Sequence, residues 1–328
     1  MKKFVSILLV LVLMMSLSVA AFAEGTTDQG TTSTTPTDQE NVTIKKEYKL
    51  VDAGTSPKET FTLKQVDSRV VDSDAASAPA LKSITGAVFA EGAATVAGVT
   101  GDITVELPSY DRVGIYEYTL KEVDDNKTAG VTYYGNEIKL VVTVINGENG
   151  KLRVAAVHTE SNIGTDAKSD KFSNTYSAGA LKITKTVTGN LGDKNKEFSF
   201  TVTLNAPTTG ETVRSTITVG GVETAFVSGQ KYTFTLKDGQ SYTFGNLPYG
   251  VTYTVEEADY TRDGYTTTKT GDTGTIGAAE QTAAFTNDKD NGSIDMGVSM
   301  DSLPYILLLV VVGAAVVVIA TRKKGEQF

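Results

Sequence analysis

Two lysines stand where an apolar side chain belongs. In Val42-Thr43-Ile44-Lys45-Lys46, a period of two marks a half-buried strand, and Lys46 shares the face of Val42 and Ile44. In LKITKTVTGN (Leu181–Asn190), Leu181, Ile183 and Val187 alternate with Lys182, Thr184 and Thr186, and Lys185 falls on the apolar face. A lysine there must curl out to solvent, find a partner or lose its charge. The same landmarks follow each lysine in the same order. After Lys46 come GIYEYTLKE (Gly114–Glu122) and FSN (Phe172–Asn174); after Lys185 come GVTYTVEE (Gly250–Glu257) and FTN (Phe285–Asn287). Strand parity puts Glu122 on the face of Tyr118 and Leu120, and Glu257 on that of Tyr253 and Val255. Asn174 shares a face with Phe172, and Asn287 with Phe285. Glu256 is the fallback for Glu257 but faces the other way.

Those three residue types define a reaction. A buried lysine amine is pushed towards neutrality and becomes a nucleophile, and a buried glutamate is pushed towards its protonated form. The glutamate proton can polarise the asparagine carbonyl while the amine attacks it; ammonia leaves and an isopeptide bond remains. The products would be Lys46–Asn174, promoted by Glu122, and Lys185–Asn287, promoted by Glu257. The fold supplies attack geometry once, without turnover or cofactor. Closing loops of about 100 residues removes roughly 4–5 kcal/mol of unfolded-state entropy if such a bond acts as a disulfide does. The competing reading is that each lysine snorkels and each glutamate only pairs with it. If a single block reacts, the second is the expected one.

The elements that must position these residues are strands. Candidates in the first block are Val42–Leu50, Thr60–Val66, Ile103–Leu107, Gly114–Val123, Glu137–Ile145 and Lys151–His158, with a hairpin connection at Asn146–Gly150. Asp67–Lys82, rich in Asp, Ser and Ala, reads as a surface excursion. In the second block Phe198, Phe200, Val202 and Leu204 alternate, turns are expected at Lys237–Gly239 and Asn246–Gly250, and Val251–Glu257 is a strand. No segment has a useful helical period. The expected fold is all-β, two β-sandwiches in tandem over 41–177 and 178–290.

The flanks place this pair outside a cell. Residues 1–23 read as a signal peptide, with basic Lys2-Lys3, an apolar core and Ala21-Phe22-Ala23 before the cut. Residues 24–40 are a Thr-rich disordered spacer. Residues 303–321 form an apolar transmembrane helix, followed by a basic cytoplasmic tail at 322–328. The chain has 328 residues and a net charge of −9, and the signal peptide removes only positive charge, which argues against nucleic acid as a partner. There is no Cys, so disulfides and thiolate sites are excluded. The single His, His158, has no acid at motif spacing and reads as a satisfied structural residue. Asp124-Asp125-Asn126 lacks the spacing of a calcium loop, and no metal is assigned.

The second block resembles the C-terminal domain of the two-domain streptococcal-type major (shaft) pilins, through LKITKTVTGN, FTLKDGQSYTFGNLPYGVTYTVEEADY (Phe234–Tyr260) and FTNDKD (Phe285–Asp290). The first resembles the N-terminal domain through VTIKK, GIYEYTLKE and FSN. The resemblance implies immunoglobulin-like sandwiches of the collagen-adhesin B type, each with an autocatalytic Lys–Asn bond. It also implies other pilin subunits and a class C-type or related sortase as partners, and a cell-surface, pilus or cell-wall location with a membrane anchor before sorting. The acceptor lysine it implies is Lys168, with Lys171 as the alternative. The sorting motif departs from the family pattern. Within the 291–302 linker stands Ile294-Asp295-Met296-Gly297, without the expected Pro and Thr, so the cut would fall at Met296–Gly297. A membrane- or wall-anchored adhesin or stalk that is not polymerised is the alternative.

Overall fold

The computed structural model describes residues 39–161 and 171–290, apart from residue 53. The signal peptide, most of the spacer, Lys168, Met296, Gly297, the apolar helix and the basic tail lie outside the described residues.

The chain forms antiparallel-rich sheets packed face to face. In the first block a five-stranded sheet runs β4 (Ser83–Thr85), β6 (Val99–Glu106), β1 (Asn41–Leu50), β11 (Lys171–Tyr176) and β8 (Val131–Thr132). Its partner runs β10 (Leu152–Ser161), β9 (Ile138–Asn146), β7 (Gly114–Glu122) and β3 (Leu63–Asp72). A small ladder joins β2 (Glu59–Phe61) to β5 (Ala87–Phe89). The second block has a six-stranded sheet, β15 (Val222–Ala225), β14 (Thr216–Val219), β17 (Ser241–Pro248), β12 (Ala178–Thr188), β21 (Glu280–Asp288) and β19 (Thr266–Thr270). It faces β16 (Gln230–Leu236), β13 (Phe198–Asn205), β18 (Thr252–Glu257) and β20 (Thr273–Thr275).

Alternation builds the cores. Ile44, Tyr48, Ile103, Val105, Tyr116, Tyr118, Leu120, Leu140 and Val142 fill the first. Leu181, Ile183, Phe198, Phe200, Val202, Leu204, Val255 and Phe285 fill the second. In each sandwich the first and last strands lie side by side and parallel. Lys46 is opposite Phe172 and Tyr48 opposite Asn174; Lys185 is opposite Phe285 and Val187 opposite Asn287. The two ladders therefore share one register, with the asparagine two residues beyond the lysine's partner. Gly189 ends β12 with φ +86, and a Cβ there would collide with the Lys289 carbonyl, so the turn in VTGN needs glycine.

Several expectations change. Asp67–Asp72 is not an excursion: it continues β3, pairing Asp67–Asp72 with β7 through bulges at Gln65/Asp67 and Val70/Asp72. As an edge strand with mostly exposed side chains, it shows no alternation to read. The same reason hides β19, whose TTTKT is exposed throughout. Asn246–Pro248 is strand rather than turn, and Asn246 takes a left-handed φ of 52.

That residue also pins the junction between the blocks. Its side-chain oxygen accepts the Thr55 N–H (2.9 Å), and its Nδ2 donates to the carbonyls of Thr55 (3.1 Å) and Thr216 (2.7 Å). Nearby, the Tyr249 hydroxyl donates to Asp52 (2.8 Å), and the Tyr176 and Ser215 hydroxyls bond at 3.1 Å. The backbones exchange Ala129 N–H to Thr212 O and Thr212 N–H to Lys127 O, both 2.9 Å. Glycine at 246 keeps the backbone but loses these bonds, so Asn246→Gly should cost about 1–3 kcal/mol and speed hydrogen exchange of the Thr55 amide. An unchanged Thr55 exchange rate would remove Asn246 from the junction.

Candidate functional site

Each sandwich buries one lysine, one glutamate and one asparagine between its sheets. Lys46 and Lys185 are each 1% exposed, and Asn174 and Asn287 are fully enclosed. Glu122 is 2% exposed, and the Glu257 side chain 3%. The lysine comes from the first strand and the asparagine from the last, both on one sheet; the glutamate reaches across from the facing sheet. All six residues singled out by parity meet in two groups of three. Glu256 is exposed and pairs across to Thr201 on the outer face of β13.

In the first site, Lys46 Nζ lies 2.7 Å from Asn174 Oδ1 and 2.9 Å from Glu122 Oε1. Asn174 Nδ2 donates to the same Glu122 Oε1 at 2.8 Å. One carboxyl oxygen thus touches both the entering and the leaving nitrogen. The backbone N–H of Tyr134 is shared between Glu122 Oε2 (2.6 Å) and Asn174 Oδ1 (2.9 Å). Aromatic rings shut out water: Lys46 Nζ is 5.3 Å from the Phe61 ring centre and 5.8 Å from that of Tyr134.

The second site repeats the core of this geometry. Lys185 Nζ is 2.9 Å from Glu257 Oε1, and Asn287 Nδ2 donates to that oxygen at 3.0 Å. The Phe198 ring lies 4.3 Å from the amine. Among the described residues, Asn287 Oδ1 and Glu257 Oε2 have no hydrogen-bond partner, and Lys185 Nζ makes an ion pair without hydrogen-bond geometry. Asp238, in the turn before β17, accepts the Val187 N–H at 2.7 Å and pairs with Lys194 at 3.2 Å. It adds negative charge near Lys185; the sequence pattern marked it only as a turn residue.

Burial pushes the Lys46 amine below the usual lysine range, against the opposing pull of Glu122. Burial likewise lowers Lys185, opposed by Glu257 and Asp238. It raises the Glu257 carboxyl, opposed by Lys185 and Asn287. In the second site these directions favour a neutral amine beside a protonated acid. In both sites the carboxyl oxygen lies beside the asparagine nitrogen as well as the lysine amine.

The remaining candidates are structural. His158 Nε2 sits 3.0 Å from Glu160 Oε1, its neighbour on the same face of β10. Asp124 pairs with Lys127, Asp125 with Lys64, and Arg214 donates to the Asn126 carbonyl. Among the described residues no cluster of three or more His, Cys, Asp or Glu could hold a metal. Lys171 opens β11, opposite Lys45.

Residues 42–177 match the Spy0128-like isopeptide containing domain, and residues 179–289 match a domain of unknown function, DUF7601. The curated pilin of Streptococcus pyogenes serotype M1 is 31% identical over 222 residues, 61% of this chain and 65% of the relative. The chain thus spans somewhat under two thirds of that pilin's length. The pilus tip adhesin Cpa of Streptococcus pyogenes is 36% identical over 117 residues, 34% of this chain and 17% of the adhesin. The crystal structure of the major pilin from Streptococcus pyogenes superposes with a TM-score of 0.55 at 26% identity, over 78% of this chain and 100% of that one. Fold and site define a tandem immunoglobulin-like β-sandwich protein with an isopeptide-type first block. The chain resembles the two-domain streptococcal-type shaft pilins, and the relatives it matches are pilus proteins.

The buried lysine–glutamate contact makes a testable demand. Lys46→Ala leaves the buried Glu122 carboxyl without its lysine partner, whereas Lys46→Met with Glu122→Leu removes both polar groups. The single variant should unfold in denaturant at a stability roughly 1–3 kcal/mol below the double. Equal stabilities would mean that Glu122 is not coupled to Lys46.

Proposed function

We propose that the chain is a structural subunit of a Gram-positive cell-surface pilus whose two sandwiches are each locked by one Lys–Asn isopeptide bond, Lys46–Asn174 and Lys185–Asn287. The observation that carries this reading is the repeated triad, in one register, with one carboxyl oxygen between the two nitrogens in each block. In each, the lysine Nζ lone pair attacks the asparagine Cγ. One Nζ proton passes to the glutamate, whose own proton goes to Nδ2. The Cγ–Nδ2 bond breaks, ammonia leaves, and the glutamate ends as it began. Pulling such a domain by its ends loads a covalent tie between first and last strands before any ladder can unzip.

Assembly with further pilin subunits follows from the relatives. The finer reading is that a class C-type or related sortase cuts the chain at Met296–Gly297 and joins the new carboxyl to Lys168 of the next subunit, Lys171 being the alternative. The degenerate motif around Met296 favours a second reading, an anchored adhesin or stalk that is never polymerised.

Glu122→Ala and Glu257→Ala test the cross-links separately. Each variant should fold and lose one ammonia fewer than the native chain, with the linked peptide missing only from the altered block. Retention of both linked peptides would take the proton relay away from these glutamates. Polymerisation is read from wall extracts: Lys168→Ala should collapse a high-mass ladder to monomer. A ladder that persists would place the acceptor elsewhere, and a native chain without any ladder would favour the anchored stalk.

A further inference from the structure

The pair Tyr133-Tyr134 has no role in the triads, yet it is built into the first site. β8 ends at Thr132, which pairs with Thr175. Beyond it, the chain leaves the ladder and the Tyr134 N–H turns inwards. The Tyr133 hydroxyl accepts the Thr128 N–H at 3.0 Å, and its ring packs edge-on against Phe61 at 5.9 Å. The Tyr134 ring packs edge-on against Phe172 at 5.1 Å. Two rings thus peg the segment on either side, and between them the Tyr134 amide points at Asn174 Oδ1 and Glu122 Oε2.

We infer that the backbone N–H of Tyr134 is the oxyanion donor of the first cross-linking reaction, and that the second block works without a counterpart. The inference rests on the isopeptide reading above. When Lys46 Nζ bonds to Asn174 Cγ, the carbonyl π pair moves onto Oδ1. The Tyr134 N–H already lies 2.9 Å from that oxygen, within the range of an effective oxyanion donor. As charge grows there, the shared N–H shifts from Glu122 to Oδ1. Meanwhile Glu122 gives its proton to Nδ2 and takes one from Nζ. The pair on Oδ1 then re-forms the carbonyl as ammonia departs, so atoms and charge balance. The donor is rigid, enclosed by rings and costs no reorganisation during the reaction.

The second block differs at this point. There β19 stays in the ladder beside the asparagine, with Thr267 opposite Asn287, so the corresponding backbone runs as strand. Among the described residues Asn287 Oδ1 has no hydrogen-bond partner. The first bond should therefore close faster than the second.

The test removes the Tyr134 hydrogen-bond donor and keeps every side chain. The full-length chain is made by cell-free translation with the α-hydroxy analogue of tyrosine at position 134, which turns the backbone amide into an ester. Linked peptides from each block are followed over time by mass spectrometry. The ester should slow the Lys46–Asn174 bond by about 10²–10³-fold, leave the pH profile of its rate unshifted and leave Lys185–Asn287 untouched. Tyr134→Ala, which keeps the N–H, should react far faster than the ester. An unslowed ester overturns the inference. So does a shifted pH profile, which would make the N–H a positioner of the Glu122 carboxyl. In the native chain, a second bond that forms as fast as the first also overturns it, whether or not the ester chain folds. Absence of both linked peptides from the native chain would instead defeat the isopeptide reading itself.

Discussion

An amine without water has three outcomes open to it: neutrality, a counter-charge or a covalent bond. Lys46 and Lys185 are held in that position by strand parity, each on the inward face of a first strand, roofed by aromatic rings. Everything else about the sites answers this burial. A glutamate crosses from the facing sheet to meet the amine, and an asparagine from the neighbouring strand meets the glutamate. Without these partners a buried charge would cost several kcal/mol. With them, the same desolvation that makes the ion pair weak as a stabiliser makes the amine reactive.

Parallel pairing of the first and last strands turns that chemistry into mechanics. Each asparagine sits two residues beyond the lysine's ladder partner, so a bond between them would bridge adjacent strands without bending either. Chain ends attached to those strands would load this tie directly. The hydrogen bonds around Asn246 join the two sandwiches, so force entering one block has a route into the next.

Strand period alone predicts both triads, because Lys46 and Lys185 break an otherwise clean alternation and the partners repeat in order. It also separates Glu257 from Glu256, which points outwards. What it misses lacks a side-chain signature. Edge strands such as Thr266–Thr270 carry no apolar face. The Asp67–Asp72 half of β3 pairs through bulges that disrupt parity. The Tyr134 amide is backbone, and every non-proline residue has one; only the chain path after Thr132 aims it. The orientation of each asparagine amide is equally invisible to pattern, and it sets which asparagine atom the glutamate meets.

The central claim is that both buried lysines become isopeptide nitrogens. The intact mass of the ectodomain, residues 24 to 293, expressed alone, tests it most directly. The account predicts a deficit of two ammonias from the calculated mass. The full calculated mass would contradict it, leaving two lysines held only as buried ion pairs.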